Sequence, residues 1–164
     1  MGSNGSGAKL RRAVPEDTAE VAEIWHRGWR DGHLGFVPDA LVSVRTEGSF
    51  LTRATQRVGD TTIAEVEGRV AGFIMVVGDE VEQVYVSTEY RGTGVAGLLM
   101  GEAERLVRDG GHAGAWLAVV SGNTRARRFY ERCGWSDGGE FVYAASSKDG
   151  PIAVPCRRYE KDVT

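Results

Sequence analysis

The chain is poor in cysteine, in proline and in long apolar runs, and it has no surplus of positive charge. Its 164 residues include only two cysteines, Cys133 and Cys156, and these have none of the paired spacings of a metal or redox site. No metal is therefore expected, and each thiol reads as a small buried hydrophobe kept free in a reducing compartment. No stretch approaches the ~20 apolar residues of a membrane span, and no apolar signal core follows Met1. The expected location is the cytoplasm, away from membranes. Twenty Lys and Arg stand against 23 Asp and Glu, a net charge of -3 that argues against nucleic-acid binding driven by bulk charge.

Glycine is abundant, with 23 residues. Residues 1–8 are Gly/Ser-rich and are expected to be disordered. Residues 9–164 have the length and ordinary composition of one domain. Lys9–Val14 reads as a first strand. Pro15-Glu16-Asp17 opens a helix whose apolar face is Val21, Ile24, Trp25, Gly28 and Trp29, with Asp17 and Glu20 spaced as a capping box. Pro38 to about Arg57 reads as a second, less regular helical segment. Thr61–Glu67 and Val70–Val77 read as a hairpin turning at Gly68-Arg69. A strand at 81–86, a helix over 95–108, a short strand at 115–120, a helix at 124–132 and a closing hairpin (141–145 and 152–160) complete the order β-α-α-β-β-β-α-β-α-β-β. That is a mixed sheet of about seven strands with about four helices, an α/β or α+β sandwich.

The centre of the chain is Arg91-Gly92-Thr93-Gly94-Val95-Ala96-Gly97, where a strand turns on glycines into a helix. The first N–H groups of a helix have no internal partner and carry partial positive charge, and glycines let an anion come close. The turn therefore reads as a phosphate cradle. By itself it is also just a tight turn that needs glycine for its backbone angles. Gly92-x-Gly94-x-x-Gly97 also spells the dinucleotide fingerprint of an oxidoreductase, but that pattern needs an acidic residue at the end of the next strand. There the chain has Ser121-Gly122-Asn123 instead.

Arg91-x-x-Gly94-x-Ala96 resembles the coenzyme A pyrophosphate motif of the GNAT superfamily of N-acetyltransferases. Asn123-x-x-Ala126-x-x-Phe129-Tyr130-x-x-Cys133-Gly134-Trp135 resembles that family's second signature. The element order is similar too, from about Leu10 to Tyr159. Thr88 stands where the family often has proline, which removes no phosphate donor. The resemblance implies a GNAT fold in which the parallel strands 81–86 and 115–120 splay apart. It implies acetyl-CoA bound by Arg91, Gly92, Thr93, Gly94, Val95 and Ala96, by the backbone of Tyr85 and Val86, and by Asn123 and Tyr130.

It also implies transfer of an acetyl group to an amine by direct attack in a ternary complex. Tyr130 is the expected general acid, since a phenol with pKa about 10 is protonated at neutral pH. It also fits as a core residue beside Phe129. Asn123 is equally a good helix cap. Glu82 is the expected base, its pKa raised by burial, with Tyr85, His26, His33 and Glu80 as alternatives. Trp29, His33 and Phe36 are expected to line the acceptor pocket. The acceptor is read as a small-molecule amine ahead of a peptide N-terminus or lysine, and the acidic balance favours a cationic one. The resemblance also allows for a homodimer. A non-catalytic acyl-CoA-binding module is the alternative to an enzyme.

Overall fold

The computed structural model describes residues 7–164. Seven strands form one sheet: β1 (Lys9–Arg12), β2 (Thr61–Val66), β3 (Arg69–Val77), β4 (Glu80–Val86), β5 (Gly114–Val120), β6 (Ser136–Ala145) and β7 (Ile152–Asp162). Their order is β1-β2-β3-β4-β5-β7-β6, antiparallel at every pairing except β4–β5. Among the described residues five α-helices accompany the sheet: α1 (Thr18–His33), α2 (Asp39–Val44), α3 (Glu47–Gln56), α4 (Val95–Asp109) and α5 (Thr124–Arg132). The disorder expected of residues 1–8 falls mostly outside the described residues. Within them, Ala8 is fully buried in the core.

Two apolar layers sandwich the sheet. Val95, Leu99, Met100, Ala103 and Val107 of α4 recur at helical spacing and pack on one face with Leu117, Trp135 and Tyr159. Val21, Ile24, Trp25 and Trp29 of α1 pack on the other face with Phe50, Phe73 and Met75. The segment expected as one irregular helix is two. The chain breaks after Val44, and the Thr46 side chain caps α3 by accepting from the Ser49 N–H at 3.2 Å. The break places Arg45 between the helices with its backbone off helical angles and its side chain buried.

The capping box expected at Asp17 does not form. Arg11 reaches Asp17 with two 2.8 Å bonds, and the Val14 N–H donates to the same carboxylate. The Arg11 bond holds the Asp17 carboxyl below its usual range. Glu20 instead accepts from the Val70 N–H at 3.3 Å, tying α1 to β3.

β4 carries an irregularity that sets up the site. Gln83 pairs with Met75 of β3 and Val81 with Val76, so Glu82 is skipped. Side chains of a regular strand alternate between faces. Here Val81 and Val84, three residues apart, both pack on the α4 layer. The bulge shifts the phase and turns Glu82 to the α1–α3 side, the re-aiming expected of an extra residue.

Candidate active site

β4 and β5 touch at one register pair, Glu80 with Trp116, reinforced by the Trp116 N–H donating to the Asp79 carbonyl at 3.0 Å. Beyond it the strands separate. The facing edges of β4 and β5 are thereby left without ladder partners inside the sheet, where backbone polar groups otherwise pair. A cleft of about 380 Å³ opens there, lined from both layers.

At the C-terminal end of β4 lies the glycine turn. Gly92 and Gly94 take φ of 77° and 93°, angles that strain any other residue. Gly94 is the N-cap of α4, and no side chain caps the helix. A Cβ built on Gly92, Gly94 or Gly97 meets no atom within 4 Å, so the turn has an open face. Unsatisfied N–H groups, the helix dipole and free space fit a phosphate group. Arg91, expected to add charge to that cradle, pairs with Asp31 of α1 at 3.1 Å. The Thr93 hydroxyl is turned back to the Tyr90 carbonyl.

Tyr130 and Asn123 line the α5 wall of the cleft. Burial pushes the Tyr130 phenol up, so it is protonated at neutral pH. Its hydroxyl has no hydrogen-bond partner among the described residues. Asn123 does cap α5, accepting from the Ala126 N–H at 3.3 Å. Its amide nitrogen also lies over Gly32, where a Cβ would come within 2.6 Å. Tyr85 sits against α1 in the same way: a Cβ on Gly28 would lie 2.3 Å from its ring. These two glycines let α1 cross the cleft mouth closely.

On the α1–α3 side Trp29 and His33 line the cleft. Their rings stack at 4.9 Å, and His33 Nδ1 lies 2.9 Å from the Trp29 carbonyl. A carbonyl only accepts, so Nδ1 carries the hydrogen and Nε2 is the free lone pair. Burial lowers the His33 pKa to about 4, with the charges of Arg45 and Arg53 adding to the effect. Phe36 does not join them. Gly35, at φ 88°, turns the chain away, and the Phe36 ring lies half exposed over Gly122. His26 is also elsewhere, stacked on Phe50.

Glu82 lines the cleft with its Oε1 accepting from Arg57 at 2.8 Å. Glu80, on the same face two residues earlier, accepts from the Tyr143 hydroxyl at 2.8 Å. Burial raises the Glu80 pKa, and the neighbouring Glu82 charge adds to it. Three arginines complete this end: Arg45 after α2, Arg53 in α3 and Arg57 after it. Sequence reasoning missed all three. The one available signal was Arg53 and Arg57 at helical spacing beside the apolar Phe50 and Ala54.

The chain matches the family model described as "Acetyltransferase (GNAT) family" over residues 19–135. It is 31% identical over 112 residues to an uncharacterized N-acetyltransferase of Mycobacterium tuberculosis, covering 65% of this chain and 70% of that protein. Among solved structures, a GCN5-related N-acetyltransferase from Rhodopseudomonas palustris superposes with a TM-score of 0.73 at 21% identity, covering 94% of this chain and 95% of that one. A putative acetyltransferase from Salmonella typhimurium, solved with acetyl-CoA, gives 0.68 at 19% identity over 96% of this chain and 94% of that one.

Proposed function

Because the chain belongs to the GNAT acetyltransferase family, we propose that it transfers the acetyl group of acetyl-CoA to the primary amine of a small molecule, by direct attack in a ternary complex. The observation that carries this reading is the single-pair contact of β4 and β5, with an unpaired strand edge on each side of a cleft. A peptide-like pantetheine arm fits such an edge as an added strand, on the backbone of Tyr85 and Val86. Its pyrophosphate fits the open turn at Gly92, Gly94, Val95 and Ala96. When bound, acetyl-CoA supplies a thioester whose acyl carbon gains a bond to the amine nitrogen as its bond to sulfur breaks.

The chain's own residues manage the protons. An alkyl ammonium has a pKa near 10.4 and must lose a proton before it attacks. Glu82 and Glu80 share one face of β4, each with one carboxylate oxygen left after its bond to Arg57 or Tyr143. Glu80, whose pKa burial raises, or Glu82 takes that proton. Tyr130, protonated and without a hydrogen-bond partner among the described residues, gives its hydroxyl proton to the departing sulfur, and the proton that the nitrogen sheds as the amide forms restores the phenol. Trp29 and His33 wall the acceptor. Calorimetry with acetyl-CoA, with NADH as control, tests the base of this reading. Binding of acetyl-CoA alone is expected, and its absence from folded protein would remove both the cradle and the acid–base roles.

A further inference from the structure

Three arginines line this part of the cleft, Arg45, Arg53 and Arg57, against two carboxylates, Glu80 and Glu82. Arg57 is satisfied in charge, holding Glu82 at 2.8 Å and Asp60 at 3.1 Å. Arg45 and Arg53 are different. Arg45 is 8% exposed, and its side chain makes no hydrogen bond or ion pair among the described residues. Arg53 has a fully buried Nη1 without a partner, and its guanidinium lies 4.2 Å over the Trp25 ring. That contact covers the face of the guanidinium and leaves its N–H edge unmet. Both line the same cleft.

Like charges buried side by side repel, and burial without a counter-charge is costly. The strain shows on the groups themselves: burial, and then the charge of Arg45, lower the Arg53 pKa to about 10. Water would satisfy N–H groups but leave the charge unbalanced. A carboxylate satisfies both, and the planar guanidinium edge matches it in a bidentate fashion.

We infer that Arg45 and Arg53 form an anion subsite, so that the acceptor is an amine that also carries a carboxylate, in the manner of a free α-amino acid. This rests on the acetyltransferase reading and names its substrate class. It reverses the expectation drawn from net charge, because the local charge of the cleft is opposite in sign to that of the whole chain. A polyamine or other acceptor with a second cation finds repulsion here instead.

The test compares matched acceptors with purified full-length protein and acetyl-CoA: L-amino acids, their carboxamides and the corresponding decarboxylated amines, read by thiol release. Charge-assisted hydrogen bonds of this kind correspond to about a tenfold to hundredfold preference. The carboxylates are expected to exceed the amides by that factor in kcat/KM. Arg45→Met is expected to shrink the preference by raising KM for the carboxylates more than for the amides, and Arg45→Lys to restore part of it.

A second readout needs no turnover. An N-acetyl-L-amino acid, a product-like carboxylate, is expected to bind the unmodified protein and to raise the NMR-observed pKa of His33, which burial depresses first and the two arginines further. Its carboxamide is expected to do neither. Amides equal to carboxylates, a loss in R45M that is the same for both series, or no binding and no turnover of any carboxylate would each overturn the anion subsite. Failure of acetyl-CoA to bind is separate: it would overturn the acetyltransferase reading, and the His33 titration still reports on the arginines.

Discussion

The two ends of the proposed site are built from different materials. The end at Gly92–Gly97 offers backbone: N–H groups at the start of a helix, on a turn whose angles only glycine takes easily. The end at Arg45, Arg53, Glu80 and Glu82 offers charged side chains carried by two short helices and a bulged strand. A backbone cradle depends on local geometry and recognises what every donor of the class shares. A side-chain pocket depends on how distant segments meet, and that is where the individuality of an acceptor is written.

Substitutions can break or sharpen this contrast. The largest effect is expected at the junction of the two ends. Tyr130→Phe removes the only acid assigned to the sulfur, and kcat should fall by about 10²–10⁴, the range for general acid–base catalysis, with acetyl-CoA affinity by calorimetry unchanged. Unchanged turnover would return Tyr130 to the core.

Next come the carboxylates. Glu80→Gln and Glu82→Gln should each cost up to about 10² in kcat, because the partner still takes the proton. The raised Glu80 pKa gives the sign of the pH effect: the base is lost as pH falls through that value, so Glu80→Gln should move the acidic limb of the rate profile to lower pH. A limb that stays in place in both variants would exclude the pair.

A smaller effect belongs to the glycine turn. Gly94→Ala forces φ near 93° on a residue with a Cβ, at a cost of about 1–2 kcal/mol. Acetyl-CoA affinity should weaken by about tenfold, while the relative kcat/KM among acceptors stays as it was. A changed acceptor ranking would mean that the two ends are not separable.

The smallest effect is a silence. His33 is neutral throughout pH 6–8, and its ring resonances should not titrate until pH nears 4. Its folded pKa is depressed, so the unfolded chain protonates first as acid is added. This contribution to stability is therefore intact above about pH 6.5 and is lost as pH falls toward about 4.

The contrast also explains what could be read from the residues alone. The order of elements, the glycine turn and the Asn123–Tyr130 helix were legible because each is local: a period, a spacing, a residue with special angles. The parallel pair was legible only through the resemblance. The cluster of Arg45, Arg53 and Arg57 was not legible, because an arginine at the end of a helix is ordinary until another segment buries it. Net charge sums the whole chain and says nothing of one cleft. Asp17 misled for a similar reason. Its spacing to Glu20 fits a cap, yet Arg11, six residues back on the neighbouring strand, competes for its carboxylate and wins with two charge-assisted bonds. Phe36 misled because the turn at Gly35 carries it out to the rim.

The bulge in β4 uncouples the length of the strand from the facing of its side chains. In a straight strand those two are locked together by parity, and Glu82 would share a face with Val84 and Val86, inside the apolar layer under α4. One residue of slip changes that parity once. Removing Gln83 would leave Val81 and Val84 on their present layer and Glu80 and Glu82 on theirs, while drawing the carboxylates one residue rise, about 3.3 Å, closer to the glycine turn. The strand thus has a built-in adjuster. The distance between these carboxylates and the glycine turn can be reset by a whole residue without turning any core side chain to the wrong face.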